Sequence, residues 1–206
     1  LSADRDSLER LRAATHPLPT APTARPWNLD ELEDLMSEAS LRDAAVLVPL
    51  VRRGDALHLL LTRRTEHLTH HAGQISFPGG RIEPADPDPV AAALRECEEE
   101  IGLSRALVEP IGFLDPLATI TGFRVMPVLG LIDALPPLRL DPHEVAAAFE
   151  VPLAHVLDRA HQRREAREYR GRVRHYHVIP YREHRIWGAT AAMIVNLADR
   201  LERLER

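Results

Sequence analysis

The chain has 206 residues, 45% apolar and 28% charged, the composition of a globular protein with one core, or one core and an arm. No apolar run approaches the roughly 20 residues needed to span a bilayer, so a membrane protein is excluded at this level. Acidic residues outnumber basic ones 31 to 26, so the chain has no overall electrostatic footprint for nucleic acid, yet every basic side chain is arginine, which suits either a GC-rich codon bias or a ligand with several phosphates.

Residues 1–16 have mixed charge and no signal-like apolar stretch, and read as a short helix with Leu8 and Leu11 on one face. Prolines at 17, 19, 22 and 26 forbid a helix, after which Leu29, Leu32, Leu35 and Met36 return to helical spacing in an acidic stretch. Residues 1–40 are expected to be an arm and 41–206 the folded domain. The runs 44–51 and 56–62 predict two strands joined by a turn at Arg52-Arg53-Gly54-Asp55, with further strands at 73–77, 111–115 and 125–132. Residues 145–153 read as a strand leading into a helix, and the region 165–179 as strands around a Tyr169-Arg170-Gly171-Arg172 turn. Helical spacing marks 88–101, 153–160 and 189–204, the last with Met193, Leu197, Leu201 and Leu204 in one stripe. This order predicts a mixed α/β (α+β) fold, a mixed sheet sandwiched between helices.

The helix over 89–101 carries the chemistry. Asp88 is placed to cap it, Pro89 to begin it and Gly102 to end it. With Glu96 set at zero, Glu99 falls at about 300° and Glu100 at about 40°, while Leu94, Cys97 and Ile101 fall between about 100° and 160°. One face is apolar and the other carries three carboxylates, with Glu98 turned away at about 200° and expected to be solvated. Like charges at i, i+4 near a helix C-terminus are unfavourable alone, and Arg95 cannot neutralise three of them. A hard divalent ion with oxygen ligands, Mg²⁺ or Mn²⁺, would. Cys97, the only cysteine, lies on the apolar face, which excludes an intrachain disulfide or a cysteine-rich zinc site and fits a reducing cytoplasm.

The run Arg95-Glu96-Cys97-Glu98-Glu99-Glu100-Ile101-Gly102-Leu103 resembles the second half of the Nudix hydrolase motif, G-x5-E-x7-R-E-U-x-E-E-x-G-U. From Gly80 the spacing is one residue longer than in that motif, and Asp86 stands where the family has its isolated glutamate. The resemblance implies a Nudix fold and metal-dependent hydrolysis of a diphosphate attached to a further group. It implies Glu96, Glu99 and Glu100 as metal ligands, joined by a carbonyl near Gly80, with Arg95 orienting its neighbours. Glu99, or Glu144 in the loop before the 145–152 strand, would be the catalytic base.

Residues 60–80, LLTRRTEHLTHHAGQISFPGG, are similar to the signature of the coenzyme A pyrophosphatases within that superfamily. Leu60, Leu61, Thr62, Arg64, Gly73, Phe77, Pro78, Gly79 and Gly80 match, whereas Thr69 stands in place of an arginine. Residues 117–130 and 186–194 add to the likeness. It implies a small-molecule substrate, coenzyme A or its thioesters, cut to 3′,5′-ADP and 4′-phosphopantetheine and held by Arg64, Gly79 and Gly80, with Arg63 as the substitute for the arginine missing at Thr69. ADP-ribose, dinucleotides or damaged nucleotides are alternative substrates, and a non-catalytic nucleotide sensor is the alternative of another class. His67, His70 and His71 are read as loop residues rather than a zinc site, and the basic stretch 163–174, interrupted by acids, as a solvated hairpin. Monomer and homodimer both stay open.

Overall fold

The computed structural model describes residues 2–66 and 72–206, without the side chains of residues 2–6. His67, Thr69, His70 and His71 lie outside the described residues. The main sheet is built from β1 (Arg42–Arg53), β2 (Ala56–Arg64), β3 (Ile75–Ser76), β4 (Gly79–Arg81), β5 (Glu109–Phe113), β6 (Leu117–Ala118), β7 (Phe123–Ile132) and β8 (Val145–Pro152). Its path runs β3-β2-β1-β7-β5, with β4 beside β1, β6 beside β7 and β8 beside β2. The central pair β1·β7 is parallel, from Arg42↔Phe123 to Val51↔Ile132, and the other pairs are antiparallel. The sheet is therefore mixed, as expected.

Both central strands contain a proline, which has no N–H for a ladder. Pro49 sits where β1 changes neighbours, between the β4 ladder ending at Val46↔Gly79 and the β2 ladder beginning at Leu50↔Leu59. Pro127 sits in the matching gap of β7, between the β6 pairs and Phe113↔Val128 of β5. Each proline falls where one partner strand gives way to the next, so the missing donor interrupts neither ladder.

Alternate residues of β1 enter two cores, as a period of two requires. Val48 and Leu50 join Leu59, Leu61, Val156, Ile194 and Leu197 on one face of the sheet. Ala45, Leu47 and Val51 join Ala92, Ala93, Cys97 and Ile101 on the other. The second face is covered by α2 (Pro89–Ile101). The first is covered by α3 (Leu153–Leu157) and α4 (Gly188–Arg203), and by Leu11 of α1 (Ser2–Ala13). A three-stranded antiparallel sheet, β9 (Arg163–Tyr169), β10 (Arg172–Tyr181) and β11 (His184–Trp187), precedes α4. Among the described residues no helix is long and apolar enough to cross a membrane.

Three expected elements come out shorter. The helix expected over 29–36 is a 3-10 turn, Leu29–Leu32. Asn28 is fixed to both backbone groups of Ala118 at 2.8 Å, and Arg174 takes the Glu31 carbonyl at 2.7 Å, so tertiary bonds replace the helical ladder. The helix expected over 153–160 stops at Leu157, because the Asp158 carboxylate accepts the Ala160 N–H and starts a separate 3-10 turn. The strand expected at 73–77 keeps only Ile75 and Ser76, opposite Arg63 and Thr62.

Candidate functional site

The α2 termini form as their residues require. The Asp88 carboxylate accepts the Ala91 N–H at 2.8 Å, and Gly102, at φ +68°, donates its N–H to Glu98 O. With Ala92, Ala93, Cys97 and Ile101 buried, the helix cannot rotate, and its acids are left along the flank that meets β4. Burial pushes the Cys97 thiol up to about 12, which suits a core residue and not a nucleophile.

The β4 backbone lies directly on those acids. A Cβ at Gly80 would stand 2.5 Å from the Glu96 carboxylate. A Cβ at Gly79, where φ is +156°, would stand 2.5 Å from the Ala45 carbonyl and 2.6 Å from Val46 Cα. At Gly79 only a glycine lets the strand lie against the β1 backbone, whereas at Gly80 the missing side chain leaves the Glu96 carboxylate its room. The Gly79 N–H donates to Glu100, whose side chain is 4% exposed and whose Oε2 has no hydrogen-bond partner. Burial pushes the Glu100 carboxyl up to about 8 against the opposing pull of Arg64, with Glu144 adding to the rise. Burial also raises Glu96, against its hydrogen bond from Arg95.

Two arginines attend the acids in different ways. Arg95 donates from Nε and Nη2 to the two oxygens of Asp86, both at 3.0 Å. Its Nη1 donates to Glu96 at 2.9 Å and Glu99 at 3.1 Å, and its Nη2 also to the Arg81 carbonyl at 3.1 Å. Arg64 holds its partners at longer range, with Nη2 donating to Glu144 Oε2 at 3.5 Å, Nη1 3.8 Å from Glu100 Oε1, and a buried Nε without a partner. Glu144 reaches this point because Thr65 N–H bonds its carbonyl, at a bulge where the β2–β8 ladder steps from Arg63↔Ala147 to Arg64↔Val145.

The sequence-derived residues thus separate into two places. Glu96, Glu100, Arg95, Gly79, Gly80, Arg64 and Glu144 stand together, and Glu99 joins them at the exposed rim through Arg95. Arg63 does not join them, since successive residues of a strand face opposite ways. It lines a cavity of about 480 Å³ together with Glu66, Gln74, Glu183, Arg185 and Trp187. Glu98, expected to be solvated, pairs at the surface with Arg105 at 3.0 Å. Asp86 is the main addition: sequence reading placed it opposite the family glutamate, and its grip on Arg95 emerges only in three dimensions.

Among the described residues, no three His, Cys, Asp or Glu side chains converge closely enough to hold an ion as they stand. The shared helix face is there, but Arg95 draws Glu96 and Glu99 while Glu100 turns toward Gly79. The donor set nonetheless suits a hard divalent cation. It consists of carboxylate oxygens, one of them buried and without a partner, beside a glycine whose missing side chain leaves room at Glu96.

The NUDIX domain family model matches residues 41–174, which include β4, α2 and Glu144. The chain belongs to the Nudix family. It is accordingly a Nudix hydrolase, an enzyme acting on a phosphoanhydride. It is 43% identical over 157 residues to the uncharacterized Nudix hydrolase NudL of Escherichia coli K12, a match covering 76% of this chain and 81% of the relative. The NudL of Shigella boydii serotype 4 matches to the same extent. The MutT protein of Methanosarcina mazei Go1 shares the Nudix fold with a TM-score of 0.52 at 18% identity, over 83% of this chain and 99% of that one.

Proposed function

We propose that this Nudix hydrolase is a pyrophosphohydrolase of coenzyme A or its thioesters, dependent on Mg²⁺ or Mn²⁺ and acting in the cytoplasm. The observation that carries the metal dependence is the buried, unpartnered Oε2 of Glu100 beside Glu96 and the Gly79-Gly80 backbone. Glu96, Glu99 and Glu100 would hold the metal. When bound, it offsets charge on the diphosphate and supplies a water acidic enough to attack near neutral pH.

The remaining work falls to the protein's own groups. Arg95, fixed by Asp86, keeps Glu96 and Glu99 in position. Glu144, 46% exposed and close to Arg64, is placed to take a proton from the attacking water, with Glu99 as the other base. Arg64 lies on the acidic side of β2 to meet the diphosphate, and Arg63 faces the cavity, where a more distant anionic group would sit. Residues 41–206 form the catalytic unit in this reading, with 1–40 as its arm. Coenzyme A is supported by the signature residues around Arg64 and Gly79-Gly80, and by its chemistry, a diphosphate to cut and a separate 3′-phosphate to recognise. The retained glutamates argue against a non-catalytic sensor.

The test is turnover of coenzyme A, dephospho-coenzyme A, ADP-ribose and an oxidised nucleotide at saturating Mg²⁺, with products identified by mass. Coenzyme A should give 3′,5′-ADP and 4′-phosphopantetheine, ¹⁸O-water should label one product phosphate, and excess EDTA should stop the reaction. A tenfold preference for ADP-ribose would overturn the coenzyme A reading.

A further inference from the structure

The two arginines of the site differ in a way that their charge does not explain. All three guanidinium nitrogens of Arg95 are bonded, at distances between 2.9 and 3.1 Å. Arg64 stands 3.5 and 3.8 Å from the two carboxylates it faces, beyond the roughly 2.7–2.9 Å of a charge-assisted bond, and its Nε is buried without a partner. Its main chain, by contrast, is fixed: Arg64 N–H bonds Gln74 O at 2.9 Å. The stem is held and the head is loosely held, between one carboxylate that is almost fully buried and another that is half exposed.

A buried carboxylate that is to stay charged needs a nearby positive charge, supplied by a side chain when no ion is present. Among the described residues Arg64 is the cation facing Glu100, and an arginine cannot shed its charge. We propose that Arg64 is a built-in counter-cation of the acidic site, which covers Glu100 and Glu144 in the resting enzyme and withdraws when a divalent ion is bound, so that metal loading frees its guanidinium for the substrate's phosphates. This inference rests on the reading of Glu96, Glu99 and Glu100 as metal holders. It couples substrate loading to metal loading, since a guanidinium turned toward Glu100 and Glu144 is not turned toward the substrate's phosphates until an ion takes its place beside the acids. In the resting arrangement Arg64 faces Glu100 while Arg95 holds Glu96 and Glu99, and among the described residues the three glutamates do not converge.

The test is metal affinity in the absence of substrate. Mn²⁺ is titrated into the metal-free 206-residue chain and the free ion is followed by EPR, for wild type, Arg64→Gln and, as a far-face control, Arg105→Gln. Removing a competing cation should tighten Mn²⁺ binding by about tenfold in Arg64→Gln and leave Arg105→Gln at the wild-type value. A second measurement needs no neutral variant. In the wild-type ¹⁵N spectrum, the Nε–H signal of Arg64, assigned by its loss in Arg64→Lys, should shift as Mg²⁺ is added while that of Arg95 stays in place. Unchanged or weaker Mn²⁺ binding by a folded Arg64→Gln, or an Arg64 signal unmoved at saturating Mg²⁺, overturns the counter-cation. Wild type binding no Mn²⁺ at millimolar concentration overturns both the counter-cation and the metal reading, so the two failures are told apart.

Discussion

Asp86 grips Arg95 through two bonds, Nε to Oδ1 and Nη2 to Oδ2, both at 3.0 Å, from a loop nine residues upstream. The third nitrogen of that guanidinium reaches Glu96 and Glu99, so the loop sets where two acids of the helix stand. Asp86 thus joins Arg95 across a spacing one residue longer than in the family motif. Arg95, before any other cause, holds the Asp86 carboxyl below its usual range.

Asp86→Asn is expected to destabilise the protein by about 2 kcal/mol, within the range for hydrogen bonds to charged groups, and to lower kcat several-fold with little change in KM. The Asp86 carboxyl is depressed below its ordinary 3.8 in the folded state. Its contribution is therefore fully present above that value and is lost as pH falls through the depressed folded one. Urea midpoints of wild type and variant should differ at pH 7 and approach each other on strong acidification. A gap that stays constant down to pH 2 would contradict the pairing.

Glu100→Gln should lower turnover by at least about a hundredfold, the scale for loss of a metal-borne nucleophile. It removes a buried charge with an unpartnered oxygen, so the metal-free variant should melt no lower than wild type at pH 8. Glu98→Gln, which alters only a surface pair with Arg105, should stay within about twofold in kcat/KM. Equal activity losses in the two variants would refute the assignment of faces.

The adjacent glycines should fail differently. An added methyl at Gly79 meets the backbone of Ala45 and Val46, so Gly79→Ala should cost upwards of ~2 kcal/mol in stability. At Gly80 it meets the mobile end of Glu96, so Gly80→Ala should fold nearly as well as wild type but turn over about tenfold more slowly. Thermal melts paired with initial rates separate the two outcomes. A stable, active Gly79→Ala would show that β4 does not lie against β1 as described.

Arg64→Ala should cost about 1.5–3 kcal/mol in kcat/KM for coenzyme A, the scale of a charge-assisted contact to a phosphate. A loss below twofold, measured at saturating Mg²⁺, would remove Arg64 from the substrate's surroundings.

Local rules in the sequence were enough to define α2. Its cap at Asp88, its start at Pro89, its stop at Gly102 and its split into apolar and acidic faces all follow from spacing and residue type within one helix. The apolar runs 44–51 and 56–62 likewise foretold two strands and a turn, and a continuous apolar run suits strands that the fold buries on both faces. What lay beyond reach was everything set by residues distant in the chain. Arg63 and Arg64 are neighbours in sequence, yet the pleat of β2 sends one to a cavity and the other to the glutamates. The acidic stretch 29–36 has helical spacing, but Asn28 and Arg174 bond across 90 and 143 residues and leave a single 3-10 turn. The state of the acids was also undetermined by composition. Glu96, Glu99 and Glu100 are alike as residues and differ as groups, because tertiary contacts bury Glu100 beside Gly79, bind a half-buried Glu96 to Arg95 and leave Glu99 at the exposed rim beside Arg95. Burial and charge neighbours set how a carboxylate behaves, and both depend on which strands and loops the fold brings against the helix.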